Sequence, residues 1–218
     1  MSDNPVVLHG YKFSVYNRIA RLVLDEKDVP YTTIEVDPFS DPIPPSYLKM
    51  HPFGRVPVLC HGAFYLYETV AITRYIDSAF SGPDLVPDDP KALGRMAQVS
   101  AIVDNYGYWP MIRQVFANRV FCSFEGRDGD EAEILEGMVK SNTVLDALEQ
   151  IANEGLVLNG KTLTLADFHL APMIAYFNYA PEGAEALETR SSLMNWWNTI
   201  SRRKSMTSTD PKLPKHPP

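Results

Sequence analysis

Glu68-Thr69 stands where a strand ends and a helix is predicted to begin. The first amides of a helix have no partners within it. Together with the Thr69 hydroxyl they suit the carboxylate of a zwitterionic α-amino acid group, while the Glu68 carboxylate contributes to holding its ammonium. An ordinary acidic first turn, complementing the helix dipole, would use the same two residues without any ligand. Ser14 stands at the start of another predicted helix. Its hydroxyl either donates to an anion lying there or, as a plain N-cap, accepts from the Asn17 N–H. Pro57 interrupts the apolar run Val56-Pro57-Val58-Leu59. That fits an edge strand, or a cis Val56–Pro57 bond that turns both backbone groups of Val56 outward. Tyr106, Tyr108, Trp109, Met111 and Phe116 crowd around Pro110, with Asn105 and Arg113 beside them. At helical spacing these are core residues, or, where a kink opens an apolar cleft, part of its lining.

Other chemistries find no residues. The five histidines have no metal-ligand spacing, and the chain has neither a glycine-rich phosphate loop nor a nucleophile elbow. Metal hydrolase, kinase and dinucleotide enzyme are therefore excluded, and no metal is expected. Twenty basic against 27 acidic residues give a net charge of −7. Such a chain repels phosphate backbones and anionic lipid, so no nucleic acid and no membrane is expected as a partner. Two cysteines, Cys60 and Cys122, supply neither a disulfide framework nor a four-thiolate metal site. The longest uncharged stretch, Phe168 to Pro181, is 14 residues, short of the roughly 20 that a spanning helix needs. Met1 is followed by Ser2-Asp3-Asn4 rather than a basic and then apolar leader, so a cytoplasmic location is expected.

The elements that must position these residues follow from the changing hydrophobic period. Val6-Val7-Leu8 reads as a buried strand, and Ile19, Ala20, Val23 and Leu24 share one face of a helix that starts after Ser14 and stops before Pro30. Tyr31 to Val36 is a second strand. Asp37 to Ser46, with prolines at 38, 42, 44 and 45, is predicted to be irregular. Two further short strands flank His61-Gly62 as a hairpin, and from Glu68 a helix is expected to pack Val70, Ala71, Tyr75 and Ile76 against the sheet. Beyond the proline-rich segment 81–90 the strand signals vanish. Helices are predicted over 91–120, kinked at Pro110, and over 130–153, 165–179 and 191–203. Thr164 to Asp167 is a capping box, with Leu163 and Phe168 as its staple. Residues 1–82 and 90–206 are thus expected to be two domains, α/β and then all-α, with 207–218 a loose tail.

In this order the signals resemble the soluble glutathione transferases over nearly the whole chain, the tail excepted. The resemblance is carried by Ser14-Val15-Tyr16-Asn17-Arg18-Ile19-Ala20-Arg21, by His51-Pro52-Phe53-Gly54-Arg55-Val56-Pro57-Val58-Leu59, by Tyr67-Glu68-Thr69-Val70-Ala71-Ile72 and by Leu163-Thr164-Leu165-Ala166-Asp167. It implies a thioredoxin-like N-terminal domain that binds glutathione, an all-helical C-terminal domain that lines the electrophile site, and a homodimer. By that match Val56, before a cis Pro57, pairs antiparallel with the cysteinyl backbone of glutathione. Glu68 and Thr69 hold the γ-glutamyl end, and Arg55 contacts the rest of the tripeptide. Ser14 matches the thiol-activating serine of the phi, tau and theta-like classes, with Tyr11 or Tyr16 as the alternative activators. The family often carries a lysine or histidine in the loop after the second strand for the glycine carboxylate; Asp37 to Ser46 has none, and Lys49 is the nearest cation. Tyr16, Tyr106, Trp109 and Arg113 are the expected lining of the pocket for a hydrophobic electrophile. Conjugation is the family default, with thiolytic ether cleavage, dehalogenation and peroxide reduction open to the same thiolate. The other class of reading is a non-catalytic glutathione-binding or scaffold protein of the same fold.

Overall fold

The structure is a computed structural model that describes residues 4–213. Its order of elements begins β1 (Val6–Gly10), α1 (Val15–Glu26), β2 (Thr32–Glu35), α2 (Pro45–Leu48), β3 (Val58–His61), β4 (Phe64–Tyr67) and α3 (Thr69–Ala79). The four strands form one mixed sheet in the order β2-β1-β3-β4. β1 runs parallel to β2 and antiparallel to β3, which pairs antiparallel with β4. This is the thioredoxin-like half of the chain. Its core is built from Leu8, Ile19, Leu22, Val23, Leu24, Leu59, Ile72 and Ile76. A buried ion pair ties α1 to α3: Lys27 Nζ lies 3.1 Å from Asp77 Oδ1 and also donates to the carbonyls of Asp77 and Pro83.

Several local expectations shift by a residue or a face. The proline-rich segment is not wholly irregular, because Pro45 occupies the first turn of α2, where a missing N–H costs nothing. The hairpin turns at Gly62-Ala63, since His61 pairs with Phe64. α3 buries Ile76 as expected, but with Thr69, Ile72 and Thr73 rather than Val70, Ala71 and Tyr75. Val70 is 42% exposed, and the Tyr75 hydroxyl instead lies within hydrogen-bond distance, 2.8 Å, of His61 Nδ1.

The second half is all helical: α4 (Pro90–Ile102), α5 (Cys122–Phe124), α6 (Glu131–Glu154), α7 (Leu165–Phe177), α8 (Pro181–Glu188), α9 (Ser191–Ile200) and α10 (Lys204–Ser208). Between α4 and α5 the chain does not break at Pro110. It continues through Val103–Gly107 and Trp109–Phe121 with the wider i→i+5 hydrogen-bond pattern, as in Cys122 N–H to Ala117 C=O. Gly137 of α6 packs there: a Cβ on it would lie 2.7 Å from Gln114 Cβ and 3.0 Å from the Pro110 carbonyl oxygen. α7 is buried on nearly every side, which accounts for the uncharged run from Phe168 onward without a membrane. Among the described residues no helix is long and apolar enough to cross a bilayer.

The chain divides after Asp84, and Ser208–Pro211 returns to the first unit. Leu85 is buried and its carbonyl accepts the Leu165 N–H, so the end of the segment read as a linker belongs to the helical unit. The expected loose tail over 207–218 is corrected for its described part. Arg18 Nε reaches Thr209 Oγ1 at 3.4 Å, Arg21 reaches the carbonyls of Ser208 and Thr209, and Thr209 is only 1% exposed. The buried Arg18 and the half-buried Arg21 outweigh the prolines there; residues 214–218 lie outside the described part.

The capping box is present, and it has a partner that spacing could not supply. Asp167 Oδ2 accepts from the Thr164 N–H (2.7 Å) and hydroxyl (2.8 Å), while Oδ1 accepts from Trp196 Nε1 at 2.8 Å. An asparagine has a single acceptor oxygen, so Asp167→Asn leaves donors on one side facing an NH2 group. We expect it to lower stability by about 2–3 kcal/mol, read as a lower urea midpoint followed by Trp fluorescence.

Candidate active site

The strand register gathers the site. His9 of β1, Val58 of β3 and Tyr67 of β4 form one row across the sheet. β1 and β4 end at this edge and β3 begins there. The turn to Ser14, the Val56-Pro57 approach and the Glu68-Thr69 helix start therefore all lie just beyond that row. α1 and α3 both begin here, so two helix N-termini meet the same edge. Gly10 pairs with Glu35 of β2, which brings the loop after residue 36 to the same end.

Ser14 has extended backbone (φ −73°, ψ 122°), and its Oγ accepts the Asn17 N–H at 3.2 Å. It is an N-cap. A hydroxyl has one hydrogen and two lone pairs, so capping through the oxygen leaves the hydrogen to donate elsewhere. The two readings of Ser14 are thus compatible. The turn is braced by the Tyr11 carbonyl, which accepts the Ser14 N–H (3.0 Å) and Asn17 Nδ2 (3.1 Å). Tyr11 itself packs edge-on against Phe13 and Phe39, and Tyr16 is half-buried on the first turn of α1.

The Val56–Pro57 bond is cis and β3 starts only at Val58, so Pro57 precedes the strand rather than interrupting it. Val56 is half-buried, and no hydrogen bond among the described residues uses its N–H or its C=O. Gly54 (φ +61°) closes the turn that delivers this segment, its N–H bonded to the His51 carbonyl at 3.0 Å. Arg55 is exposed, while its carbonyl accepts the Tyr47 hydroxyl at 2.6 Å. His51, 2% exposed, stacks on Tyr67 with ring centroids 4.6 Å apart. Burial lowers its pKa; the nearby Glu68 carboxylate opposes that and the Arg55 guanidinium adds to it. One ring thus feels both charged residues of the expected site.

Glu68 adopts φ 70°, ψ 117°, a left-handed backbone that costs a non-glycine residue of order 1–3 kcal/mol. Its side chain does not cap α3, so the first-turn amides of that helix receive no side-chain cap. Glu68 therefore makes no capping bond, and its carboxylate stands exposed, on a strained backbone, beside uncapped amides and the buried Thr69. Lys49 follows α2 as an exposed side chain with no ion pair among the described residues. In the helical unit the aromatic stretch separates: Met111 and Phe116 are core, whereas Tyr106 (67%) and Trp109 (59%) are exposed, as is Arg113. Spacing did not reveal two neighbours of the site. Tyr47 directly follows the stretch 37–46 predicted to be irregular, and His51 lies inside the motif His51 to Leu59 without a role of its own; an aromatic and an imidazole shortly before Gly54 were the available signals. The pair His169 Nε2–Asp104 Oδ1, 2.8 Å, is likewise a contact across 65 residues that no local pattern encodes.

Two family models match, described as the glutathione S-transferase N-terminal domain over residues 8–84 and the glutathione S-transferase C-terminal domain over residues 108–204. The chain belongs to the glutathione S-transferase family. Among its relatives, glutathione S-transferase F10 of Arabidopsis thaliana is 32% identical, over 84% of this chain and 86% of the relative. Glutathione S-transferase F9 of the same plant is 30% identical, over 93% and 94%. Among solved structures, glutathione S-transferase III in its apo form superposes with a TM-score of 0.84 at 26% identity, covering 98% of this chain and 99% of that one. Glutathione transferase F7 from Populus trichocarpa gives 0.80 at 26% identity, covering 94% and 97%. In this member of the family, no three or more His, Cys, Asp or Glu side chains among the described residues are grouped to hold a metal ion.

Burial lowers both His9 and His51 below the ordinary imidazole value. Below about pH 6.5 the unfolded chain then binds protons that the folded chain refuses, so stability falls as pH falls through that value. Urea titrations between pH 7 and 5.5 should show this slope, and His51→Asn should flatten part of it.

Proposed function

We propose that this protein is a glutathione transferase in which Ser14 keeps the glutathione sulfur ionised for attack on a hydrophobic electrophile. The observation that carries the reading is the convergence at one sheet edge of a capped but still donor-competent hydroxyl, a backbone segment with both polar groups unpaired, and an uncapped helix start beside a carboxylate. Glutathione offers a matching set. Its cysteinyl N–H and C=O complement Val56, whose segment is turned by cis Pro57. Its γ-glutamyl carboxylate suits the Thr69 hydroxyl and the α3 amides, and its ammonium suits Glu68. Arg55 faces the remainder of the tripeptide, and Lys49 is the cation assigned to the glycine carboxylate.

The energetics suffice without a metal or a general base. A free thiol has a pKa near 8.5, and lowering it by about two units requires roughly 2.7 kcal/mol. A hydroxyl hydrogen bond to a charged acceptor supplies about 1.5–3 kcal/mol, and the start of α1 adds about 0.3–1 kcal/mol. With an aryl halide the thiolate forms the C–S bond, the C–halogen bond breaks, and halide leaves with the electron pair. Tyr16, Tyr106, Trp109 and Arg113 are assigned to the electrophile. A cytosolic homodimer acting in detoxification is the setting we assign, on the acidic composition and on family resemblance.

Ser14→Ala should raise the pKa of the bound thiol by one unit or more and change glutathione affinity little, with about 1 kcal/mol of stability lost from the cap. The pH–rate profile with a chromogenic aryl halide checks it. An unshifted profile would move the assignment to Tyr11 or Tyr16, and glutathione binding without turnover on halides, epoxides, ethers and hydroperoxides would favour a binding module.

A further inference from the structure

The Arg55–Val56 peptide has its two polar groups in very different situations. Its carbonyl accepts the Tyr47 hydroxyl at 2.6 Å, and its N–H, that of Val56, has no partner among the described residues. This peptide is trans, the cis bond being the next one along. In a trans peptide the C=O and N–H point to opposite sides of the C–N bond, so fixing one fixes the direction of the other. Tyr47 is 4% exposed, on the one-turn helix α2, with its ring 6.3 Å from that of His9 and 6.4 Å from that of His51. The hydroxyl is therefore held by a packed ring rather than by a mobile side chain.

We infer that Tyr47 is a positioning residue for glutathione: its hydroxyl pins the Arg55 carbonyl and so aims the Val56 N–H at the cysteinyl carbonyl of the bound tripeptide. This inference rests on the functional reading above. A hydrogen bond accepted at the carbonyl also polarises the peptide and strengthens its N–H as a donor. Burial, with the neighbouring Cys60 adding to it, pushes the Tyr47 phenol above its ordinary value, so the donor stays protonated throughout the pH range of catalysis. The sulfur and Ser14 take no part, which separates the role of Tyr47 in binding from that of Ser14 in ionising the thiol.

Tyr47→Phe keeps the ring and removes only the hydroxyl. The KM for glutathione should rise about five- to tenfold, the loss of one well-placed hydrogen bond. The kcat at saturating glutathione and the pKa of the bound thiol should stay unchanged. Calorimetric titration with S-methylglutathione, which has no thiol to ionise, should show the same loss of affinity. With an analogue whose cysteinyl carbonyl is a thioamide, a weaker acceptor, the loss should shrink below about twofold, because the bond being aimed is already compromised. Equal affinity of wild type and Tyr47→Phe for S-methylglutathione would overturn the inference and leave the functional reading standing. An equal loss with the thioamide, or a fall in kcat with a shifted pH profile, would also overturn it, since the hydroxyl would then act on the fold or the thiol. Failure of wild type to bind either probe would overturn the functional reading, and this inference with it.

Discussion

The antiparallel pairing of β3 between β1 and β4 is the constraint from which the site follows. Because His9, Val58 and Tyr67 share one row, three segments separated by tens of residues leave or enter the sheet at one edge. A slip of one residue in either pairing would turn the side chains of a strand to the opposite face. It would also displace Val56 from the starts of α1 and α3. The buried alternation of β1 and the apolar β3 fix that register, so hydrophobic burial in the sheet sets the geometry of the polar edge.

At that edge stand backbone groups left over by secondary structure, and the proposed recognition of glutathione draws on them. The α3 amides are uncapped, Val56 stands outside the ladder, and the Ser14 hydroxyl is half used by its own helix. Each is a group that the fold does not satisfy internally, and each stands beside an anchored neighbour: Asn17 on the Tyr11 carbonyl, Tyr47 on the Arg55 carbonyl, His51 stacked on Tyr67. The strained backbone of Glu68 belongs with them. A residue held at positive φ and not capping its helix is stability forgone, at the position the proposal gives to the glutathione ammonium.

In the helical unit, polar side chains tie the starts of helices to their neighbours. Asp167 accepts from Thr164 and Trp196, Glu149 accepts the amides of Ser192 and Leu193, and Arg190 is held by Asp146 and Asn142. Each of these bonds joins helix ends that would otherwise carry orphan donors or charges into the core.

Local pattern sufficed wherever a residue's role depends on its immediate neighbours. Period changes located the strands and most helices, the Thr164–Asp167 spacing identified the capping box, and the motifs around Ser14, Val56 and Glu68 pointed to the family. Short α2, α8 and α10 escaped because one or two turns leave no readable period, and the face of α3 was misassigned except at Ile76 because Val70 and Ile72 are equally apolar. The described end of the chain was misjudged for a related reason: composition registers prolines but not the two arginines of α1 that hold Ser208 and Thr209. Only the tertiary structure decided what Tyr47 and His51 touch, whether Ser14 and Glu68 cap their own helices, and which aromatics near Pro110 face inward. Those outcomes depend on contacts between residues distant in sequence, where the free energy is set by packing and pairing that no single segment contains.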